Sequence, residues 1–232
     1  MNLTEPRIVI AIDGPAASGK SSVARELARR LSLAYVNTGA MYRAVTWLVV
    51  SRGIAPDDAE GVQALLHSTK ITCGLDDDES TFMLDGVNPS AHLVDESVNA
   101  NVSAVSSLPE VRRLLVEHQR AYADGHDLVM EGRDIGSVVF PDTPFKFYVD
   151  ASPEVRALRR QRQGLADSIA QRDKFDSSRR TSPLIIAEDA HVIDSSNLTI
   201  DGVVGEIIGR LKQKGLEIDQ IPATVRRSAI HV

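Results

Sequence analysis

A run of eight residues near the N-terminus has the types and spacing of a phosphate-binding loop. The pattern G-x-x-x-x-G-K-[ST] is matched by Gly14, Pro15, Ala16, Ala17, Ser18, Gly19, Lys20 and Ser21. In such a loop the backbone N–H groups point at phosphate oxygens, the lysine reaches the β- and γ-phosphates, and the final hydroxyl is placed for Mg²⁺. The sequence therefore predicts that this loop, together with Ser22, binds a nucleoside triphosphate, and that Ser21 contacts Mg²⁺ partly through water.

Charged side chains also follow two later segments that have the composition of buried strands. Arg43 lies shortly after residues 34–36, and Arg133 and Asp134 come after residues 127–130. In an α/β fold, the loops after the carboxyl ends of parallel strands line one crevice, and the phosphate loop also follows a strand. Because guanidinium groups grip phosphate through paired hydrogen bonds, we expect Arg43 and Arg133 to contact phosphate in this crevice.

A strong local excess of positive charge lies between residues 156 and 180. Its basic residues are Arg156, Arg159, Arg160, Arg162, Arg172, Lys174, Arg179 and Arg180. Three interpretations fit: a solvated helix face, an RNA-binding patch, or a lid that closes over a transferring phosphoryl group. Phe175 is the one aromatic residue in the segment, which argues against stacking on RNA bases. We favour the lid, because phosphoryl transfer requires stabilised negative charge and excluded water.

Alternating strand and helix patterns predict the elements that place these residues. Short β-branched or aromatic runs predict strands at 7–12, 34–36, 127–130, 145–149 and 191–193. Apolar stripes and capping residues predict helices at 22–31, 40–50, 57–67, 109–124, from 152 onward and at 200–211. This alternation predicts an α/β P-loop kinase core built on a doubly wound parallel sheet.

A different pattern interrupts this alternation. Residues 70–75, 81–84 and 86–87 alternate apolar and polar side chains and are separated by turn residues, of which Asp85-Gly86 suits a hairpin. We therefore expect a small antiparallel sheet in an inserted subdomain, about 51–108, with the core formed by 7–50 and 109–215. The lid then covers about 156–180, and the tail, 216–232, lacks periodicity and is expected to be mobile.

The overall composition excludes several classes of function. The 232 residues carry a net charge of −6, which argues against nucleic acid or an anionic membrane as a partner. Cys73 is the single cysteine, so neither a disulfide framework nor a cysteine-zinc lid is available. The first six residues lack the features of a signal peptide, and apolar runs are shorter than a membrane span. These features predict a soluble protein of the cytoplasm.

Several of these stretches, taken together, resemble bacterial cytidylate kinases. Besides the phosphate loop, they are residues 37–43 (NTGAMYR), Ser103 with Arg112, residues 131–142 (EGRDIGSVVFPD) and residues 172–179 (RDKFDSSR). The run at 131–142 is much more specific than the phosphate loop, and the match extends in order over roughly residues 7–212. The resemblance implies a P-loop nucleoside monophosphate kinase that uses Mg²⁺ and ATP to phosphorylate CMP or dCMP, as a monomer.

The resemblance also implies a role for each matched residue. The residues that would contact CMP are Thr38, Arg43, Ser103, Arg112, Arg133, Asp134, Arg172, Asp176 and Arg179. Among them, Arg43 and Arg133 would hold the acceptor phosphate. Cytosine would be read by Thr38, Arg112 and Asp134. The sugar would be contacted by Ser103, Arg172 and Asp176, with Arg179 at the lid hinge. Arg159 would face the transferring phosphates together with Arg156 and Arg160. The residues expected to be catalytic are Lys20, Arg43, Arg133 and Arg159.

Chemistry independently supports the assignment of the base. Cytosine presents an amino donor at N4 beside acceptors at N3 and O2, so a carboxylate such as Asp134 can accept from N4 and an arginine can donate to the acceptors. Uracil would instead place its O4 acceptor against the carboxylate, which repels it. Because the acceptor is itself a phosphate oxygen, the reaction needs positioning and charge stabilisation rather than a general base.

The sequence leaves alternatives open. A related P-loop kinase with another acceptor, such as UMP or AMP, shares most of these features, and a non-catalytic nucleotide-binding regulator shares the phosphate loop. A GTPase is disfavoured because no N-K-x-D motif occurs. The chain departs from the family pattern at Asn37, where an aspartate is usual, and in the stretch between Arg160 and Arg172, which is shorter.

Overall fold

A computed structural model describes residues 7–162, 173, 175–177, 179 and 184–217 of the chain. Its strands are β1 Val9–Asp13, β2 Ala34–Asn37, β3 Ile71–Asp76, β4 Glu79–Leu84, β5 Leu128–Gly132, β6 Phe145–Asp150 and β7 His191–Asp194. Its α-helices are α1 Lys20–Leu31, α2 Thr38–Ser51, α3 Ala59–Ser68, α4 Glu96–Val105, α5 Pro109–Ala121, α6 Pro153–Arg162 and α7 Ile200–Gln213. Short 3₁₀ turns occur at Ser90–His92 and Tyr122–Asp124, and a π-helical turn at Ile135–Val139.

The strands form one sheet in the order β3-β4-β2-β5-β1-β6-β7. Strands β2, β5, β1, β6 and β7 run parallel, which confirms the predicted doubly wound core. The register of β1 against β5 ends with Asp13 opposite Gly132. The segments that leave β1, β2 and β5 therefore begin side by side at the carboxyl edge of the sheet.

The antiparallel hairpin predicted between residues 70 and 84 is present as β3 and β4. Its turn places Asp77 and Asp78 at φ values of 46° and 64°, the left-handed conformation that a two-residue hairpin turn requires. The hairpin also extends the main sheet, because the Tyr35 amide donates to the Asp78 carbonyl at 2.8 Å. The predicted Asp85-Gly86 turn is confirmed: Leu84 and Val87 exchange backbone hydrogen bonds of 3.0 and 2.9 Å across it.

Helices cover both faces of the sheet, as a parallel sheet requires. On one face, Ala11 of β1 packs in a cluster with α2 and α5, which contribute Val45 and Leu115. On the other, Ile10 and Ile12 pack with α1 and α7. Successive β1 residues thus enter opposite cores, which fixes the strand in register and anchors the loop that follows it.

Helix α4 is the main element that the sequence patterns do not predict. Three valines spaced over its length are buried: Val98, Val102 and Val105. Between them stand asparagine and serine residues with weak helix propensity, which obscure the apolar stripe. Packing against α2 outweighs that weakness. This helix carries Ser103, one of the predicted contacts to CMP.

Within the described residues, no helix is both long and apolar enough to cross a membrane. The tail beyond residue 217 and residues 163–172 of the predicted lid lie outside the described residues. The lid is therefore represented by α6, by Asp173, by residues 175–177 and by Arg179.

Candidate active site

The phosphate loop is formed by backbone that only glycine can supply at its two ends. Gly14 has a φ of 155°, and a Cβ at that position would lie 2.1 Å from the Val149 carbonyl oxygen of β6. Gly19 has a φ of 92° and immediately precedes the first turn of α1, which includes Ser22. Lys20 is buried and donates from Nζ to the Pro15 carbonyl at 3.1 Å, across the loop. The loop is thus closed around its lysine, with the positive end of the α1 dipole behind it.

Ser21 lies against an acidic side chain at the end of β5. Its hydroxyl donates to Glu131 Oε1 at 2.7 Å, and Lys20 Nζ lies 4.0 Å from Glu131 Oε2. A hydroxyl and a carboxylate are the hard oxygen ligands that Mg²⁺ prefers. Among the described residues there is no cluster of three or more His, Cys, Asp or Glu side chains that could hold a metal. The Ser21 hydroxyl and the Glu131 carboxylate fit a Mg²⁺ ion that would take its other ligands from water and phosphate oxygens.

Helix α6 is anchored directly on the phosphate loop. Arg159 donates from Nη1 to the Ser18 carbonyl at 2.9 Å and to Ser195 Oγ at 3.0 Å. The Ser195 hydroxyl donates in turn to the same Ser18 carbonyl at 2.8 Å. Arg156 approaches the loop at the Ala16 carbonyl and also pairs with Asp173. Two of the three arginines predicted to face phosphate, Arg156 and Arg159, thus lie beside the loop that would hold it. The third, Arg160, is buried on α6.

A buried ion pair forms the centre of the predicted base-reading site. Arg112 and Asp134 bond to each other, and their residues are only 2% and 3% exposed. The Arg112 guanidinium also lies over the Tyr42 ring, 5.4 Å from its centroid. An ion pair so far from water is costly unless each partner is further satisfied, so its burial is weak evidence that it stabilises the fold. Thr38, the third predicted base contact, donates to the Glu131 carbonyl at 2.8 Å.

A second chain of charges joins β5 to the lid. Arg133 donates from Nε to Asp176 Oδ2 at 2.9 Å, and Arg179 bonds to the other oxygen of the same carboxylate. Arg179 also donates to Ser106 Oγ at 2.9 Å. Burial lowers the pKa of Arg179. Burial also acts to lower the pKa of Arg133, but the charge and hydrogen bond of Asp176 and the charges of Glu131 and Asp173 together outweigh it, and that pKa lies above its ordinary value. Arg133 therefore stays protonated and able to bind phosphate.

Of the remaining predicted contacts, the structure describes Arg43 and Ser103. Arg43 donates from Nη1 to the Leu93 carbonyl at 3.0 Å and to Asn99 Oδ1 at 2.6 Å. Ser103 is half-buried on α4, and its carbonyl accepts from Ser106 Oγ at 3.2 Å. Arg172 lies outside the described residues. Asn37, where the pattern departs from the family, caps α2 by accepting from the Ala40 amide at 3.0 Å.

Four residues of this arrangement carry no role in the sequence prediction: Asp13, Ser106, Glu131 and Ser195. Each lies at or just after the carboxyl end of a strand, or, for Ser106, just after a helix that the patterns did not predict. An acidic residue that closes a buried strand was the available signal for Asp13 and Glu131. Burial raises the pKa of Asp13 to about 7, although two backbone N–H groups and the Lys20 charge oppose this.

Comparisons with known proteins agree with this geometry. The family model described as cytidylate kinase matches residues 10–213. A cytidylate kinase from Streptomyces avermitilis is 40% identical over 220 residues, which cover 91% of this chain and 95% of the relative. One from Corynebacterium efficiens is 44% identical, covering 87% and 93%, and one from Clostridium tetani is 41% identical, covering 87% and 92%. With a family match over most of its length and relatives of this similarity, the chain belongs to the cytidylate kinase family.

Proposed function

We propose that this protein transfers the γ-phosphoryl group of ATP to CMP or dCMP, giving ADP and CDP or dCDP. The observation that carries the proposal is the position of the buried Arg112–Asp134 pair at the same sheet edge as the phosphate loop. A phosphate loop alone would support any nucleotide-binding protein. A carboxylate paired with a guanidinium supports a reader of cytosine, because it presents an acceptor to N4 beside a donor to O2 or N3.

The phosphate contacts divide between two groups of side chains. Lys20 and the loop amides would bind the triphosphate, with Arg159 beside them at Ser18. Arg43 and Arg133 would bind the acceptor phosphate from the other side of the crevice. These cations stabilise charge on the transferring group and hold the acceptor oxygen in line with it, so no general base is required.

The sugar contacts are proposed from Ser103, Arg172 and Asp176, with Arg179 at the hinge. In the present structure Asp176 accepts from Arg133, so sugar or phosphate groups arriving in the crevice would exchange with an existing ion pair. That exchange costs little because one charge-assisted bond replaces another.

Mg²⁺ would be held by Ser21 and by Glu131. The sequence points only to Ser21, and Glu131 is proposed because its carboxylate accepts from the Ser21 hydroxyl. The ion supplies charge neutralisation between the β- and γ-phosphates when it is bound. Glu131 also lies 4.0 Å from Lys20, which orients the lysine toward the same phosphates.

The division of the chain is proposed as a core of about 7–50 and 109–215, an acceptor-binding insertion of about 51–108 and a lid of about 156–180. The hairpin β3–β4 falls within that insertion although it continues the main sheet. A cytoplasmic monomer remains part of the proposal by family resemblance.

The decisive test is ADP formation from Mg-ATP with CMP, dCMP, UMP, AMP or no acceptor. We expect rapid turnover with CMP and dCMP only, lost in Lys20→Ala and kept in Lys212→Ala, which alters an exposed lysine of α7. Turnover chiefly with UMP or AMP would make the protein a kinase of another acceptor and place the error at Thr38, Arg112 and Asp134. ATP binding without turnover on any acceptor would favour the non-catalytic regulator.

A further inference from the structure

The carboxylate of Asp13 connects two loops that the proposed function assigns to different substrates. Asp13 is the last residue of β1 and directly precedes Gly14 of the phosphate loop. The residue is 6% exposed, and its side chain turns toward β5. There, Oδ1 accepts from the Ile135 amide and Oδ2 from the Gly136 amide, both at 2.8 Å. One side chain thus holds two consecutive backbone N–H groups across the strand pair.

The segment that Asp13 holds is the π-helical turn Ile135–Val139. Asp134 immediately precedes the turn, with φ −147° and ψ 25°, and its carbonyl accepts from the Val138 amide at 2.9 Å. At the other end, Arg120 of α5 donates to the Val138 and Val139 carbonyls at 2.9 Å each. The turn therefore has a carboxylate at its amino end and a guanidinium at its carboxyl end, which matches the direction of its peptide dipoles.

The Lys146 side chain of β6 provides a third contact to the turn. A Cβ at Gly136 would lie 3.1 Å from both Cγ and Cδ of Lys146. The turn thus packs closely against the aliphatic part of the Lys146 side chain, and Asp13 holds the same turn by two hydrogen bonds. These contacts restrain the backbone of Asp134 relative to the phosphate loop.

We propose that Asp13 is a positioning residue for the acceptor site: it fixes the Asp134 backbone, and with it the Asp134–Arg112 pair and the neighbouring Arg133, relative to the phosphate loop. The proposal rests on the proposed function, in which Asp134 reads cytosine and Arg133 binds the acceptor phosphate. Asp13 itself touches neither substrate. Its effect on activity passes through the turn, and it should appear in the binding of CMP more than in the binding of ATP.

The informative substitution is Asp13→Asn, because asparagine keeps the shape of the side chain. The oxygen of the new amide would still accept one N–H, but its NH₂ group would face the second backbone N–H donor to donor. A buried donor left unsatisfied costs enough to displace the turn. A matched control exists at the opposite end of the same strand pair, where Asp127 accepts from the Ile8 amide at 2.8 Å. Asp127→Asn perturbs the same two strands far from the crevice.

The experiment measures KM for CMP, KM for ATP and kcat in the wild-type, Asp13→Asn and Asp127→Asn proteins. We expect Asp13→Asn to raise KM for CMP about tenfold, the scale of one lost charge-assisted bond, with KM for ATP within about twofold of wild type. Asp127→Asn should leave both constants unchanged. Equal rises in both KM values, an unchanged KM for CMP, or the same effect from Asp127→Asn would each overturn the proposal.

A second variant tests the turn without altering Asp13. Gly136→Ala keeps both hydrogen bonds available but pushes the turn away from Lys146, so it should also raise KM for CMP selectively. If Asp13→Asn fails to fold, this variant decides, and an unchanged KM for CMP in it would overturn the proposal. Failure of the proposed function is distinguishable, since the wild-type protein would then show no turnover of CMP at all.

Discussion

Arg133 is bound to a carboxylate in the structure although its proposed partner is a phosphate. Asp176 accepts from both Arg133 and Arg179, which keeps the guanidinium of Arg133 oriented in the crevice before a substrate arrives. An oriented cation needs no reorganisation when negative charge develops nearby, and Arg133 would act in this way in the proposed reaction.

Arg133→Ala should lower kcat by about 10³-fold, the scale of removing an arginine that stabilises the transferring phosphoryl group. Steady-state kinetics with saturating CMP and ATP measure this loss. Arg25→Ala is the matched control, because Arg25 pairs with Glu79 on the surface. A loss of less than tenfold in Arg133→Ala would show that this guanidinium does not stabilise the transition state.

Asp134→Asn should reduce the preference for CMP over UMP by about tenfold, because the new amide can donate to uracil O4 and no longer offers two acceptors to N4. The ratio of the two kcat/KM values is the suitable readout. It is independent of how much enzyme is folded, which matters because the buried Arg112 loses its charged partner. Asp201→Asn, at an exposed carboxylate paired with Arg30, should leave the ratio unchanged. An unaltered ratio in Asp134→Asn would remove Asp134 from base recognition.

The pKa of Asp13, raised to about 7 mainly by burial, gives a stability prediction. The carboxyl of Asp13 binds its proton more tightly in the folded state than in the unfolded state. The stability that this proton adds is therefore complete below the ordinary pKa of an aspartate and is lost as pH rises through about 7. The Asp134 charge acts in the same direction, and Lys20 opposes it.

Denaturant unfolding of wild type and Asp13→Asn at several pH values tests this. The difference in unfolding free energy, wild type minus variant, should fall by about 2 kcal/mol between pH 5.5 and pH 8. His118 and His126 titrate in both proteins, so their contributions cancel. A difference that is flat or rises with pH would show that Asp13 is ionised throughout this range.

At the scale of elements, helix α6 and the loop after β7 meet on the phosphate loop. Ser195 is 3% exposed and joins Arg159 in binding the Ser18 carbonyl. These bonds hold the loop that would bind ATP at its Ser18 carbonyl.

Ser195→Ala should therefore raise KM for ATP about fivefold, the scale of one lost hydrogen bond, and leave KM for CMP unchanged. Initial rates at varied ATP and fixed CMP, and the converse, separate the two constants. Ser68→Ala provides the control, since Ser68 is exposed at the end of α3. A rise confined to CMP would contradict the assignment of this loop to the ATP side.

Helices and strands with a strong hydrophobic periodicity were predictable from sequence, whereas the contacts between them were not. Local patterns predict the phosphate loop, α1, α5 and the parallel strands. The spacing of apolar residues along the chain shows which faces of these helices and strands are buried. Helix α4 was not predicted because asparagine and serine residues separate its valines and obscure the apolar stripe. The joining of β4 to β2 depends on long-range bonds, from the Tyr35 amide to the Asp78 carbonyl and from the Asn37 amide to Ser80 Oγ, which no local pattern encodes.

The site was predictable only in part for the same reason. Motif positions identified Lys20, Arg133 and Asp134, because each follows a recognisable strand. The bonds of Asp13 to residues 135 and 136 span more than a hundred positions, and those of Ser195 to Ser18 even more. Such pairs are set by the order of strands in the sheet, which sequence periodicity does not reveal.

At the scale of the whole molecule, the two proposed substrate sites lie along one edge of a single sheet. Each substrate should therefore stabilise the fold by mass action, independently of catalysis. ATP or CMP alone at about 100 times its dissociation constant should raise the melting temperature by roughly 5 to 10 °C.

Lys20→Ala should abolish the shift caused by ATP and retain the shift caused by CMP. Thermal unfolding with each nucleotide alone measures both. Loss of both shifts would show that Lys20 supports the fold of the crevice as a whole, and retention of both would show that it does not bind ATP.

Glu131 belongs to both halves of the crevice. Its side chain accepts from Ser21 on the ATP side, and its backbone carbonyl accepts from Thr38 on the CMP side. Because one residue makes both bonds, we expect a nucleotide bound in one half to change the affinity for a nucleotide in the other, and such coupling is equal in both directions. Affinities measured for one nucleotide at a time will therefore not multiply to give the affinity of the pair, and resistance to an inhibitor of one half can arise from a substitution in the other.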